Sequence, residues 1–153
     1  MVRASDPRGE YTHIGITTLV DNCAMVIHCV PGEVPNGEVD RIKIEPLEEF
    51  FKGSKAENGA IYRASKLNEQ QLADVTAQAR LWLAKNVEFD HQFILGDTTQ
   101  LYCTELIQLI FNHVDYDISR GNISEFRTAF YDGFYLFPSD ILKNDELELI
   151  FRF

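Results

Sequence analysis

The stretch "HIGITTLVDNCAMVIHCVP" at residues 13–31 decides the fold that the sequence predicts. Two runs of β-branched and apolar residues flank the polar pair Asp21 and Asn22, and Pro31 and Gly32 end the second run. Asp and Asn form turns readily because their short side chains tolerate the left-handed backbone conformation. The pattern therefore predicts a β-hairpin.

The expected register of this hairpin brings two histidines onto one face. If the chain folds at residues 20–21, the position numbers of opposed residues sum to 41 and His13 lies directly across from His28. The alternate positions then form an apolar face, with Ile14 opposite Ile27. Opposed Cβ atoms in such a pair lie about 5 Å apart. The two imidazoles could then interact directly; the alternative is that both histidines face solvent on a half-buried strand pair.

The rest of the chain alternates short strands with helices. The clearest helix signal covers residues 69–85, where Asn68 and Gln71 have the spacing of a capping box. An amphipathic helix is also expected at residues 99–114, with its N-cap at residues 97–99. This order predicts an α+β fold with a largely antiparallel sheet packed against helices. Further strands are expected at 38–45, 59–65 and 146–153, an extended segment at 87–95, and short helical segments at 46–51, 124–130 and 138–142.

Length and composition indicate one globular domain, residues 1–153. The first ten residues, expected to be flexible, lack the apolar core of a signal peptide, so the default expectation is a cytoplasmic protein, or an envelope protein if a leader was removed. No apolar run is long enough for a transmembrane segment. With 24 acidic against 14 basic residues and a net charge of -10, nucleic acid is not expected as a partner.

Three cysteines, Cys23, Cys29 and Cys103, form neither a CxxC pair nor an even set, so free thiols are expected. Cys103 lies in the amphipathic helix, where a buried structural cysteine is one interpretation. An activated nucleophile early in the helix is the other, because unpaired backbone N–H groups stabilise a thiolate there. Cys103, His13 and His28 are also a possible ligand set for zinc, but the local ligand spacings of zinc sites are absent, and no metal is expected.

These segments resemble a known family of cysteine hydrolases. "HIGI" at 13–16 and "IHC" at 27–29 resemble the histidine hairpin of the NlpC-type papain-like cell-wall peptidases. "LYCTELIQLIF" at 101–111 resembles the "YCSELV" signature of the circularly permuted papain-like amidases of the YaeF/YiiX type, in which the cysteine also follows the histidine. The resemblance runs from about residue 11 to the end. It implies a circularly permuted papain-like fold with the nucleophile at a helix N-terminus.

The resemblance also implies roles for individual residues. Cys103 would be the nucleophile, His13 the general base and later acid, and His28 the residue that orients His13, although the family often has Glu at the position of His28. The reaction would be acyl transfer through a thioester, with no cofactor.

Three further residues are placed near the site by the same resemblance. Tyr102 would be a possible second oxyanion donor beside the backbone N–H of Cys103. Glu105 and Arg63 would form a structural pair or cap contact.

The family strand of the pattern "GD-[IL]-[IV]-F" is missing before residue 11.

Three functions remain open at this stage. The first is an amidase or peptidase, acting on cell-wall peptides. The second is a lipid acyl hydrolase or acyltransferase, because the lecithin-retinol acyltransferase group shares the His-His-Cys order and the aromatic stretch at 126–137 could line an apolar cleft. The third is a binding domain without turnover. The expected partner is thus a peptide or lipid-like small substrate.

Overall fold

The computed structural model describes residues 9–33, 35–127 and 132–153, so most of the expected flexible N-terminal segment lies outside the described residues. The chain forms a mixed α/β fold. The elements, in order, are β1 (Ile16–Val20), β2 (Cys23–Cys29), β3 (Ile42–Pro46), α1 (Leu47–Phe50), β4 (Ala60–Ala64), α2 (Glu69–Lys85), β5 (Glu88–Phe89), β6 (Gln100–Leu101), α3 (Cys103–Asn112), β7 (Ser124–Arg127), β8 (Asp132–Tyr135), α4 (Pro138–Ile141) and β9 (Leu147–Arg152).

The strands form several small sheets instead of the one sheet expected. β1, β2 and β3 form an antiparallel sheet in that order, and β4 pairs with β9 and β7 with β8, also antiparallel. β5 and β6 pair in parallel. The antiparallel character is therefore confirmed in three of the four sheets formed by the described residues.

The predicted hairpin forms, but its register was wrong by two residues. Val20 pairs with Cys23 and Ile16 with Ile27, so opposed position numbers sum to 43. The cause is the turn: Asp21 and Asn22 both have positive φ, 49° and 63°, the conformation of a two-residue hairpin turn that β-branched Val20 would disfavour. Since side chains alternate with a period of two, the shift leaves every residue on its expected face.

The two faces of the β1–β3 sheet have different surroundings. Ile27, Cys29 and Ile42 belong to the buried core, which α2 and α3 cover. Val26 and His28 point to the opposite face, which α1 approaches through Phe50. The histidine pair therefore lies under α1 and not within the main core.

Helix α2 has the predicted bounds, and its predicted capping box is present. The Asn68 side chain accepts a hydrogen bond from the Gln71 N–H at 2.9 Å, and the Gln71 side chain accepts one from the Asn68 N–H at 3.1 Å. At the other end Asn86 adopts the left-handed conformation with φ 55°.

Helix α3 begins four residues later than predicted. Gln100 and Leu101 pair with Glu88 and Phe89, which holds the chain extended up to Tyr102, the N-cap residue. The expected N-cap at residues 97–99 was therefore wrong. Cys103 is consequently the first residue of the helix.

The C-terminal third differs from expectation at one element. Residues 124–127, predicted to be helical, form strand β7, and residues 128–130 of that prediction lie outside the described residues. The short helix α4 and strand β9 form as predicted. Among the helices of the described ranges, none has the length and apolar character needed to cross a bilayer.

Candidate active site

The two histidines of the hairpin form a hydrogen-bonded pair. His13 Nε2 lies 2.9 Å from His28 Nδ1, and the ring centroids are 5.1 Å apart. The register places Gly15, not His13, directly beside His28, so His13 reaches His28 diagonally from just before β1. Phe50 packs against both rings, with centroid distances of 5.6 and 5.0 Å. The sequence therefore predicted the contact correctly, although the register behind it was wrong.

His28 also contacts a carboxylate on the neighbouring strand. Its Nε2 lies 3.0 Å from Glu45 Oε1, in an electrostatic contact that departs from hydrogen-bond alignment. The other oxygen, Glu45 Oε2, lies 3.2 Å from Lys55 Nζ and 3.3 Å from Lys43 Nζ. Lys43 in turn pairs with Glu33. The histidines are thus one end of a polar chain that reaches the surface.

Burial keeps both imidazoles neutral at physiological pH. It lowers the pKa of His13 to about 3, with the neighbouring His28 as the next cause. It lowers the pKa of His28 to about 4, with the Lys43 ammonium as the next cause. A neutral imidazole has one nitrogen free to accept a proton, which a general base requires.

Cys103 lies at the N-terminus of α3 and is half-buried. Burial raises the pKa of its thiol to about 11, although the backbone N–H groups of Ile14, Thr104 and Cys103 itself lower it. These backbone N–H groups favour the thiolate, as the sequence predicts for a helix N-terminus, but desolvation outweighs them. Ionisation of this thiol requires a base.

The Cys103 thiol lies near the start of the hairpin, beside the residue that follows His13. The Ile14 N–H points to the Cys103 sulfur, and Ile14 follows His13 directly in the chain. No hydrogen bond joins the Cys103 thiol to the His13 ring in the described part of the chain. Catalytic hydrogen bonds are often long or poorly aligned until substrate binds. The structure thus brings His13 and His28 into contact and places Cys103 beside the adjoining backbone.

Tyr102 is buried and directed into the core. Its hydroxyl accepts a hydrogen bond from the Leu136 N–H at 3.3 Å, and burial raises its pKa above the ordinary range. As N-cap of α3, Tyr102 positions the backbone of the first turn. Its oxyanion role stays a prediction.

Glu105 organises the loop before the cysteine. It is buried and accepts a hydrogen bond from the Gly96 N–H at 2.7 Å. Burial raises its pKa to about 7, although the backbone N–H groups of Gly96 and Tyr102 favour the charged form. Arg63 is exposed on β4 opposite Glu148. No ion pair joins Glu105 to Arg63 within the described ranges; Glu105 instead contacts backbone N–H groups, one of them that of the N-cap residue Tyr102.

The other two cysteines have different surroundings. Cys23 is exposed beside the hairpin turn, whereas Cys29 is buried on the core face and donates to the Leu101 carbonyl at 3.4 Å. Burial raises the pKa of Cys29 to about 12, with the neighbouring Cys103 as the next cause. Cys29 points away from the histidines, as the alternation along β2 predicts.

An open, mainly apolar groove of about 780 Å³ lies between the hairpin and α2. Its lining includes Thr17 and Ala24 of the hairpin, Leu47 of α1 and Ala77 and Arg80 of α2. Ala24 shares a strand face with Val26 and His28. The aromatic stretch expected to line a cleft falls partly outside the described residues. In its described part, Leu136 and Phe137 are buried, whereas Phe134 is exposed.

Glu45 and Phe50 are the site residues that sequence reasoning missed. A signal for Glu45 was available, because the β3 sequence "IKIE" at 42–45 alternates apolar and charged residues. Pairing of β3 beside β2 puts Lys43 opposite His28 and Glu45 opposite Val26, on the histidine face. Phe50 carried no such signal, since its position depends on how α1 folds back over the sheet.

The architecture defines the class: a mixed α/β protein with antiparallel sheets packed on helices. No family model matches the sequence, and no curated protein matches it. Among solved structures, the chain is similar to metalloprotein yiiX (DUF1105) from Escherichia coli O157:H7, with a TM-score of 0.74 and 14% identity over 99% of this chain and 87% of that chain. At this identity the likeness shows the fold alone, and the chain has a yiiX-like fold.

Proposed function

We propose that this protein is a cysteine hydrolase of the amidase or peptidase class, built on a circularly permuted papain-like fold. The observation that carries the proposal is the His13–His28 pair at the start of the hairpin, with the Cys103 thiol against the next backbone N–H. A nucleophilic thiol, a neutral imidazole and a partner that holds the imidazole are the three groups that thiol acyl transfer requires.

The geometry of His13 supports its role as the base. Its Nε2 is held by His28, which leaves Nδ1 as the nitrogen available for the thiol. Nδ1 is also the ring nitrogen nearer the backbone, and the backbone of residue 14 is where the Cys103 sulfur lies. The proposed mechanism requires the two side chains to approach each other when substrate binds.

The reaction follows from these groups. His13 Nδ1 takes the thiol proton as sulfur attacks the carbonyl carbon of an amide or ester, and the protonated ring then donates to the leaving group. The product is a thioester on Cys103, and water, deprotonated by His13, hydrolyses it to regenerate the thiol. Because the resting thiol is neutral, proton transfer and attack are coupled in this site.

Metal chemistry is the alternative that the name of the structural neighbour suggests for that protein. Within the described ranges, no group of three or more His, Cys, Asp or Glu side chains converges as a metal site. The facing nitrogens of His13 and His28 are directed at each other at 2.9 Å, and so are not free to bind a shared ion. The described residues of this site do not fit a metal, and no step of the mechanism uses one.

A lipid-like substrate is the second candidate, favoured by the apolar groove beside α2. An acyl chain in this groove would lie along the hairpin face that carries His28. A hydrolase that cleaves lipid esters would use the same cysteine chemistry. The two candidates therefore differ in the acyl group transferred and not in the mechanism.

Intact-mass spectrometry tests the proposal and separates its two forms. The protein would be incubated with muropeptides and, in parallel, with phospholipid vesicles, and digested to locate any added acyl mass. We expect an acyl adduct, joined as a thioester, on Cys103 from one of these substrates. We expect no thioester adduct in Cys103→Ser. Absence of adduct and of product from every ester and amide offered would contradict the enzyme proposal and favour a binding domain.

A further inference from the structure

Glu45 lies beyond His28 in the polar chain, and the inference drawn here rests on the proposed function of the site. The chain runs from His13 through His28 to Glu45 Oε1, with separations of 2.9 and 3.0 Å. His28 is 1% exposed, so solvent does not compete for its nitrogens. The charge of the Glu45 carboxylate therefore decides which ring nitrogen of His28 is protonated.

Proton counting leaves two arrangements for the neutral pair. Each neutral imidazole holds one proton, and a single proton occupies the space between His28 Nδ1 and His13 Nε2. In the first arrangement His28 is protonated on Nε2, so His13 donates from its own Nε2 and keeps a lone pair on Nδ1. In the second, His28 donates from Nδ1 and His13 carries its proton on Nδ1. Only the first arrangement leaves His13 able to accept the thiol proton.

Glu45 favours the first arrangement. A carboxylate only accepts hydrogen bonds, so an N–H on His28 Nε2 is attracted to Oε1 at 3.0 Å, whereas a lone pair there is repelled. Oε1 lies off the line of the N–H bond, and its influence is therefore that of a nearby charge. In a buried site such a charge acts strongly, because the local dielectric constant is low.

Two lysines hold Glu45 in the orientation that this role requires. Lys43 and Lys55 contact Oε2 at 3.3 and 3.2 Å, and Lys55 also lies 3.5 Å from Oε1, which faces His28. Lys43 lies directly across from His28 on the neighbouring strand, and Glu33 pairs with both lysines. The carboxylate is thus fixed from the surface side and presents Oε1 to the buried ring.

We propose that Glu45 is a positioning residue that sets the tautomers of His28 and His13, and thereby leaves Nδ1 of His13 free to act as the base. Glu45 does not touch the reacting atoms. It acts through His28, so its removal should change which ring nitrogens of His28 and His13 are protonated even when no substrate is present.

Nitrogen-15 NMR of the histidine rings measures this directly, in the full chain and without a substrate. Long-range proton–nitrogen spectra identify which ring nitrogen is protonated, and single His→Gln variants at residues 13, 28, 91 and 113 assign the four rings. In the native protein we expect both His13 and His28 to be protonated on Nε2. In Glu45→Leu we expect a mixture or the reverse arrangement.

Two further variants complete the test. Glu45→Gln keeps the shape of the side chain but adds a donor, so it should also admit the second arrangement. Glu49→Gln removes an exposed carboxylate of α1 that pairs with Lys52 and lies outside the polar chain, and should leave the tautomers unchanged. Circular dichroism of each variant establishes that it is folded.

The chemical consequence is measured separately from the tautomers. The rate at which iodoacetamide alkylates Cys103 should fall on the order of tenfold or more in Glu45→Leu, as loss of the correct tautomer does in a catalytic triad, and remain near native in Glu49→Gln. Native tautomers in folded Glu45→Leu would overturn this inference while leaving the proposed function intact. Failure of the hydrolase proposal would instead show as a Cys103 rate that is insensitive to His13→Ala.

Discussion

Gly15 marks the closest approach between the start of the hairpin and the histidine strand. A Cβ atom added there would lie 2.4 Å from Val26 Cγ1, 3.1 Å from His28 Cβ and 3.2 Å from the Ile27 carbonyl oxygen. The first distance requires a shift, and the other two are tight contacts with a buried side chain and with backbone. Gly15→Ala should therefore push the hairpin start away from β2 and weaken the His13–His28 contact.

The expected loss of stability follows from two opposing effects. Overpacking a buried contact costs about 1–3 kcal/mol. Alanine also lowers the conformational entropy of the unfolded chain, which stabilises the folded protein by about 0.4–1 kcal/mol. We expect a net decrease in the free energy of unfolding of about 1–2 kcal/mol, or a few degrees in Tm for a domain of this size.

Gly53→Ala is the matched control, because a Cβ atom at Gly53 meets no atom within 4 Å. Urea unfolding followed by circular dichroism compares the two variants, and we expect Gly53→Ala to be as stable as the native protein or slightly more stable. Alkylation of Cys103 should slow in Gly15→Ala only. Equal stability of the two variants would refute the close approach at Gly15, and with it the observed register.

Two predictions concern pH and have opposite signs. Burial raises the pKa of Glu105 to about 7 from an ordinary 4.5, so the unfolded chain loses this proton at lower pH than the folded protein does. The free energy of unfolding should therefore fall by about 3 kcal/mol as pH rises between these values. Urea unfolding at a series of pH values measures this decrease, and Glu105→Gln should remove it. Burial lowers the pKa of His13 to about 3 and of His28 to about 4, so stability should fall as pH drops below 6.5, and His28→Asn should reduce that acid sensitivity. The windows overlap, so each slope is obtained by difference from its own variant. An unchanged slope in either variant would contradict the corresponding burial argument.

Local signals in the sequence predicted the elements that local chemistry determines. Helix α2 has the expected bounds because the Asn68 capping box and the periodic stripe are both contained within the segment. The hairpin faces were right for a similar reason, since a period of two tolerates an even error in register. Assigning Asp21 and Asn22 as the two central residues of a hairpin turn would have predicted the register correctly as well.

The start of α3 could not be predicted in this way. Thr98 and Thr99 are good N-cap residues, but pairing of Gln100 and Leu101 with β5 overrides their preference. This pairing joins segments 12 residues apart and leaves little trace in the local pattern. It has a direct functional result, because it moves Cys103 from the second turn of the helix to its first residue.

The site was predicted in part. The histidine pair was visible because both residues lie on one hairpin, and Cys103 because of the resemblance to a family with the same order of residues. Glu45 required knowing which strand lies beside β2, which is a long-range pairing. The high pKa of the Cys103 thiol required knowledge of its burial, which no spacing reveals.

The central claim is that His13 activates Cys103, and the rate of Cys103 alkylation in His13→Ala tests it most directly. Exposed Cys23 in the same molecule serves as the internal reference for reagent and pH. At neutral pH we expect the Cys103 rate to fall at least about tenfold in the variant while the Cys23 rate is unchanged. Equal Cys103 rates in the native protein and in folded His13→Ala would contradict the account.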